Sequence, residues 1–407
     1  VNLDLQLSTL KRGVVDLHTE PDLRQRLQRG KPLRIKAGFD PTRPDLHLGH
    51  TVLMRKMRDF QDLGHEVVFV VGDFTAMIGD PSGRNLTRPK VSAEEVRAAA
   101  QTYAEQAYKV LDREKTKLVY NSEWLNQLNF SKVIELAGRY TLARMMERED
   151  FKTRYANHAS ISLHELLYPL AQAYDSVHLA CDVELGGSDQ LFNLLVGREI
   201  MREYGLPPQI VMTTPLLEGI NARVENGVLV GDKMSKSLDN YVGVDEPATE
   251  QFGKLMSICD DLMWRYYELL SRGDDDAWKE KRQRCLSGGM NPRDAKIELA
   301  MEIVAQFHDE AAARQAREAW ESQFSARHAP QNMTQWEHQG EVALMIALSR
   351  SGAVSSSSEA RRRLEAGAVR VDGERVTDVH HKLAPRAEPY EIKAGKRDWV
   401  RVIVRAP

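Results

Sequence analysis

The sequence predicts an α/β protein: a Rossmann-like, doubly wound parallel sheet, then a helical domain, then a small α+β domain. Three observations carry that expectation. Short apolar runs alternate with helical periodicity over the first half of the chain. From about Val244 the apolar residues fall mostly at helical spacing. The last fifty or so residues change in both charge and periodicity. The chain has 407 residues, 42% hydrophobic and 28% charged, so it has globular composition and room for two or three domains.

The elements follow in order. Residues 33–39 read as a short strand, and 67–71, a pure Val/Phe run, as a strand buried on both faces. Between them, residues 50–63 place Leu53, Met57 and Phe60 on one helical stripe that Gly64 can end. Residues 118–120 and 210–213 are further strands, with a helix over 93–111. Val224-Glu225-Asn226-Gly227-Val228 reads as a hairpin with an Asn-Gly turn. Downstream, Leu262, Tyr266 and Leu269, then Ile297, Ala300, Met301, Val304 and Phe307, repeat at helical spacing. Residues 325–340 are polar and contain Pro330, as in a linker. In the tail, Ser358 is expected to cap a helix that Gly367 ends, and Asp372-Gly373 is expected to turn a hairpin. Ile392, Trp399, Val400, Val402 and Val404 suggest closing strands. The expected domains are therefore 1–243, 244–324, a linker over 325–340, and 341–407.

Charge narrows the partners. The formal net charge is −3, which argues against a general nucleic-acid binder. Residues 359–407, however, carry twelve Lys and Arg against eight Asp and Glu, a net +4 that leaves −7 for the rest. A basic tail on an acidic body suggests local contact with a phosphate backbone. Cys181, Cys259 and Cys285 are scattered, so neither a disulfide framework nor a zinc cluster is expected, and a reducing compartment fits. No apolar run approaches membrane-spanning length, and no signal-peptide pattern stands at Val1.

Two short motifs carry the chemistry. His47-Leu48-Gly49-His50 sets two imidazoles at a helix mouth, where free N–H groups and the dipole favour anions. Gly49 lets a flat ring approach the backbone. The plain alternative is a helix cap with two surface histidines; half a metal site lacks supporting Cys or carboxylates. Lys233-Met234-Ser235-Lys236-Ser237 sets two ammonium groups on a small polar loop, suited to polyphosphate charge. Its alternative is a solvated Lys/Ser turn.

These motifs, with Gly38-Phe39-Asp40-Pro41-Thr42, Ile78-Gly79-Asp80-Pro81-Ser82-Gly83 and Gly186-Gly187-Ser188-Asp189-Gln190, resemble class I aminoacyl-tRNA synthetases, and among them the bacterial tyrosine enzymes. The resemblance runs over nearly the whole chain. It implies an enzyme that activates L-tyrosine with ATP, accompanied by Mg²⁺, and charges tRNA(Tyr), as a cytoplasmic homodimer. For ATP it implies Gly38, Asp40, His47, Gly49, His50, Gly187, Asp189, Lys233, Met234, Ser235 and Lys236. Arg84 and Arg88 match cationic positions that assist the departing pyrophosphate.

Tyr168, Gln172 and Asp175 lie at helical spacings of four and three, on one face. An ordinary amphipathic helix is the alternative. The resemblance implies that Asp80, Tyr168 and Gln172 surround the substrate ammonium. It also implies that Asp175 accepts the phenolic hydrogen bond and that Gln190 lies nearby. Many family members carry tyrosine two positions before the glycine of Gly38-Phe39-Asp40-Pro41-Thr42; here that position is Lys36, so Asp175 is expected to carry more of the discrimination. The tail resembles the RNA-binding domain named after ribosomal protein S4, with Arg361, Arg362, Arg363, Arg370, Lys396 and Arg397 as phosphate contacts. Competing classes are a general nucleotidyltransferase and an RNA-binding paralogue without catalysis. A nicotinamide oxidoreductase lacks its glycine fingerprint here.

Overall fold

A computed structural model describes residues 2–41, 46–79, 93–273, 275–325, 333–395 and 398–406. The chain divides into two compact units, residues 1–317 and 318–407. The first is built on a six-stranded sheet: β1 (Leu17–His18), β2 (Arg34–Phe39), β3 (Glu66–Val71), β4 (Thr116–Tyr120), β5 (Val183–Gly187) and β6 (Ile210–Thr214), in the order β1-β6-β5-β2-β3-β4. All neighbours are parallel except β1 on β6. Ala37 is in register with Phe69 on one side and Leu185 on the other.

Strand β3 explains why the sheet is central. Val67, Val68, Phe69, Val70 and Val71 are all fully buried, which a parallel strand requires when both faces are covered. Phe39 stacks on Phe69 with ring centroids 4.4 Å apart. One face packs Val68, Val70, Val119, Trp124, Leu125, Ala171, Leu179 and Cys181 into a common core.

Strand order reverses beside β2: β3 follows it on one side, and β5, which comes later in the chain, lies on the other. In such sheets ligands bind outside the carboxyl ends of the strands at this switch point. The residues just past β2 and β5 are Asp40 and Ser188-Asp189-Gln190. Topology alone thus brings two of the sequence motifs together.

Two strands of this six-stranded sheet escaped the sequence reading. β5 ends in Gly186-Gly187, which invite interpretation as a turn, and β1 is only two residues long. Helices Ala248–Ser257, Asp260–Leu270, Asp275–Leu286, Pro292–Phe307 and Glu310–Ser325 form the predicted helical part. Its first four helices belong to the same compact unit as the sheet.

The second unit has a five-stranded sheet in the order Glu374–Val376, Val369–Val371, Tyr390–Lys393, Trp399–Arg405, Thr334–Gln339. The expected linker is therefore partly wrong. Thr334–Gln339 is a parallel edge strand on Trp399–Arg405, with Trp336 opposite Val402. Its side chains are mostly polar because the strand is largely exposed, so it lacked an apolar signal. The helix cap shifts as well: Ser356, not Ser358, accepts from the Glu359 amide at 3.2 Å, and the helix is Ser357–Glu365. Val369, Val371, Ile392, Val400, Val402 and Val404 fill this unit's core with Leu344 and Leu348. Among the described residues, no helix is long and apolar enough to cross a membrane.

Candidate active site

The helix Leu48–Asp62 begins where β2 hands the chain to the sheet's carboxyl edge, and His47 is its N-cap residue. The His47 amide donates to His50 Nδ1 at 3.2 Å, and the two rings lie 3.9 Å apart. Burial pushes His50 down to about 4, helped by repulsion from Lys236 and Lys233. His47 is lowered well below the usual imidazole range by burial first, then by His50, Lys236 and Lys233. Both rings are therefore neutral near pH 7, each with one N–H to donate.

The two distant motifs converge where Gly49 meets Met234. Backbone bonds fasten the helix mouth to the segment just past the lysine loop. His47 bridges Gly243 in antiparallel fashion; the Leu48 amide donates to Val242 O at 3.0 Å and the Val244 amide to Leu46 O at 2.9 Å. A side chain at Gly49 would meet the His47 ring at 3.0 Å and Met234 Cβ at 3.5 Å. The hairpin Arg223–Glu225/Val228–Val230 turns through Asn226 and Gly227, both at positive φ, and leads into the lysine loop. Met234 is buried and its amide donates to Leu217 O at 2.7 Å.

Asn240, which sequence reasoning missed, holds the loop's shape. Its Oδ1 accepts from the Ser235 amide at 2.7 Å, and its Nδ2 donates to Lys233 O at 3.3 Å. Gly219 makes room for it: a Cβ there would stand 2.1 Å from Asn240 Nδ2. Lys233 forms an ion pair with Asp189 at 2.7 Å, joining the loop to the end of β5. Lys236 stands 5.8 Å from the Tyr241 ring centre.

The second part of the site sits at the ends of β2 and β3. Asp40 accepts from Thr75 Oγ1 at 2.7 Å and from the Tyr168 hydroxyl at 2.9 Å. Space above Gly38 is open: a Cβ there would meet no atom of the described residues within 4 Å. Helix Tyr168–Leu179 carries Tyr168, Gln172 and Asp175 at the spacing read from sequence, and it buries Tyr168 and Asp175 where a plain amphipathic helix would have exposed them. Asp175 is buried; Trp124 Nε1 donates to its Oδ1 at 2.8 Å and Asn121 Nδ2 to its Oδ2 at 3.3 Å. Burial raises its carboxyl to about 6, against the pull of Lys36 and these two donors. Gln190 accepts from Asn193 at 3.0 Å at the start of helix Leu191–Glu203.

Residues 28–325 match the family model of class I tRNA synthetases for tryptophan and tyrosine, and residues 344–388 match the S4 domain. The tyrosine–tRNA ligase of Oleidesulfovibrio alaskensis is 49% identical over 407 residues, 100% of both chains. That of Geobacter sulfurreducens is 51% identical over 404 residues, 98% of each. The chain belongs to the class I tyrosyl-tRNA synthetases. The fold agrees with a tyrosyl-tRNA synthetase from Archaeoglobus fulgidus crystallised with L-tyrosine, at a TM-score of 0.62 and 24% identity, covering 77% of this chain and 99% of that one.

Among the residues expected to serve the synthetase, Asp80, Arg84 and Arg88 lie outside the described residues, as do Lys396 and Arg397. The Lys36 side chain is buried in an ion pair with Glu184 at 3.0 Å. Tail residues Arg361 and Arg362 are exposed. Arg363 instead pairs with Glu359 at 2.6 Å and with Asp398, clamping its helix to the sheet. Arg370 lines a concavity of about 140 Å³ with Gly373, Lys393 and Trp399. Sequence placed Trp399 on a closing strand but read neither it nor Lys393 as an RNA contact. Their pairing in register, with Lys393 Nζ 5.2 Å from the Trp399 ring centre, needs the hairpin geometry.

Proposed function

We propose that the chain activates L-tyrosine with ATP to tyrosyl-adenylate and then transfers the tyrosyl group to the 3′ end of tRNA(Tyr). The observation that carries this reading is the meeting of the His47–His50 helix mouth with the Lys233–Lys236 loop, in the same unit as the helix that carries buried Asp175. In the first step the tyrosine carboxylate attacks the α-phosphorus of ATP, and the bond to pyrophosphate breaks. The nucleophile is already ionised, so the protein's task is alignment and charge stabilisation. Neutral His47 and His50 donate to phosphate oxygens. Lys233 and Lys236 follow the charge that builds on the leaving pyrophosphate, Lys233 exchanging its Asp189 partner for phosphate. Gly38, Gly49 and Gly187 let the nucleotide approach the backbone, with Asp40, Asp189, Met234 and Ser235 around it. Arg84 and Arg88 are assigned to pyrophosphate. Asp80, Tyr168 and Gln172 take the ammonium, and Gln190 lies beside the amino acid. Mg²⁺ arrives as part of the ATP substrate, held by its phosphates.

The second unit takes tRNA. Arg361, Arg362, Arg370, Lys396 and Arg397 contact phosphates, and Trp399 offers a face on which a base stacks. Replacing Arg370 and Lys393 together with glutamate should lower charging of tRNA by about tenfold or more at moderate salt. Tyrosine-dependent pyrophosphate exchange should stay at the parent rate. Charging equal to the parent would remove this surface from tRNA binding.

The first unit exposes Phe130, Ile134, Leu142, Tyr155 and Leu163 within one stretch of chain, more apolar surface than scattered residues explain. A homodimer that covers these side chains is the assembly we assign; sedimentation at the mass of one 46.2 kDa chain would refute it. The cytoplasm is the assigned compartment, in keeping with the free cysteines Cys181, Cys259 and Cys285.

A further inference from the structure

Against the helix that carries Asp175 lies a buried polar cluster centred on Lys36 and Glu184, neither of which is assigned a substrate contact. Lys36 stands in β2, in register with Val68 on one side and Glu184 on the other, and is fully buried. A lysine in such a place is costly unless its charge and all its donors are answered. Here they are: Glu184 Oε1 lies at 3.0 Å, Gln172 O at 3.0 Å and Ser176 Oγ at 2.7 Å. Three hydrogens meet three acceptors, which leaves no donor for a substrate. Glu184 also accepts from Gln172 Nε2 at 3.1 Å, from Ser176 Oγ at 3.2 Å and from Gln209. The cluster ties β2 and β5 to the helix that carries Asp175.

The charged and titratable groups around Asp175 come from each side. Lys36 in β2 bonds Gln172 O and Ser176 Oγ, to either side of Asp175 on its helix, and Glu184 in β5 accepts from the same Ser176, while Trp124 and Asn121 donate to Asp175 directly. Behind Asn121 stands Thr75, at 3.1 Å. Cys181, next to Lys36 in the same core, is pushed up to about 12 by burial and is therefore neutral. Burial is the largest force on Asp175 and favours its neutral form. Lys36 is the strongest force opposing that, ahead of the two hydrogen bonds, and Glu184 acts the other way. Lys36 itself stays charged: burial works against it, but Glu184 and Asp175 together raise it above the ordinary lysine value.

We propose that Lys36, held by Glu184, is a positioning residue for phenol recognition: without touching the substrate, it sets the charge of Asp175 and hence the preference for a hydroxylated aromatic amino acid. This rests on the function proposed above. An ionised carboxylate accepts from the phenolic O–H and rejects a ring that leaves it unpaired, whereas a protonated one can donate its own hydrogen elsewhere. The device needs both members of the pair, because the cation alone would be stranded in the core and the anion alone would push Asp175 toward neutrality.

Opposite charge effects give the test. Tyrosine-dependent pyrophosphate exchange by the full chain is measured from pH 5 to 9 and kcat/KM for tyrosine is extracted. The parent should show an acid limb near 6, where Asp175 takes up its proton. Lys36→Gln should move that limb up by about one unit or more, raising KM for tyrosine about twofold or more at pH 7 and about tenfold near pH 5 with kcat nearly kept, and activity should recover by pH 9. Glu184→Gln should move the limb down. The double variant K36M/E184Q, free of stranded charge, should move it up by less than Lys36→Gln. Asp175→Asn should abolish the limb. Single variants that shift the limb in the same direction, or leave it in place while Asp175→Asn abolishes it, would overturn the inference and leave the function intact. An Asp175→Asn variant with the parent's limb and tyrosine KM would instead overturn the phenol assignment itself.

Discussion

Lys233→Ala should slow tyrosine-dependent pyrophosphate exchange by about 10²–10³-fold at saturating substrates while leaving KM for tyrosine nearly unchanged. The reason is where the ammonium sits. It is half exposed, on a loop pinned at Met234 and Asn240, and its carboxylate partner Asp189 is at the edge where the nucleotide is assigned. In the ground state it holds a protein carboxylate. In the transition state phosphate oxygens carry more charge than that carboxylate, so the interaction strengthens as the bond breaks. An interaction made mainly in the transition state lowers kcat and kcat/KM together when removed. A rise in tyrosine KM with kcat preserved would place Lys233 in ground-state binding, and an unchanged rate would take the loop out of the mechanism.

Asp175→Asn should cut the preference for tyrosine over phenylalanine by about 10–100-fold, the worth of a hydrogen bond to a charged group, about 1.5–3 kcal/mol. Tyrosyl-tRNA synthetases are the standard case of a site that rejects an analogue lacking its hydroxyl. Asparagine keeps an oxygen for the Trp124 indole and removes a buried charge, so the variant should fold at least as well as the parent. Competition between the two amino acids in the exchange assay reads the ratio. Parental discrimination would mean that another group recognises the phenol.

The sequence exposed what local chemistry dictates. The Val67–Val71 run fits a strand buried on both faces, and the Asn226-Gly227 turn fits positive φ at both residues. The histidine motif marked a helix mouth within one or two residues of its observed start. Their charge state was hidden, because it depends on burial and on lysines nearly two hundred residues away. Lys36 read as a substitution of a phenol contact; only the register of β2 with β5 reveals Glu184 as its partner. Asn240 carried no local signal, since its role is to bond the backbone of a loop whose path is set by Leu217 and Gly219. Thr334–Gln339 was hidden for another reason: an exposed edge strand can be polar on both faces when a single neighbour supplies its pairing.

The central claim is that imidazoles at one helix mouth and ammonium groups on a distant loop work on one triphosphate beside a pocket for a hydroxylated ring. Pyrophosphate exchange with tyrosine, phenylalanine and tryptophan supplied in parallel tests it most directly. The account predicts rapid label incorporation into ATP with tyrosine and only residual incorporation with the other two. Exchange independent of the amino acid, or equally fast with all three, would contradict it.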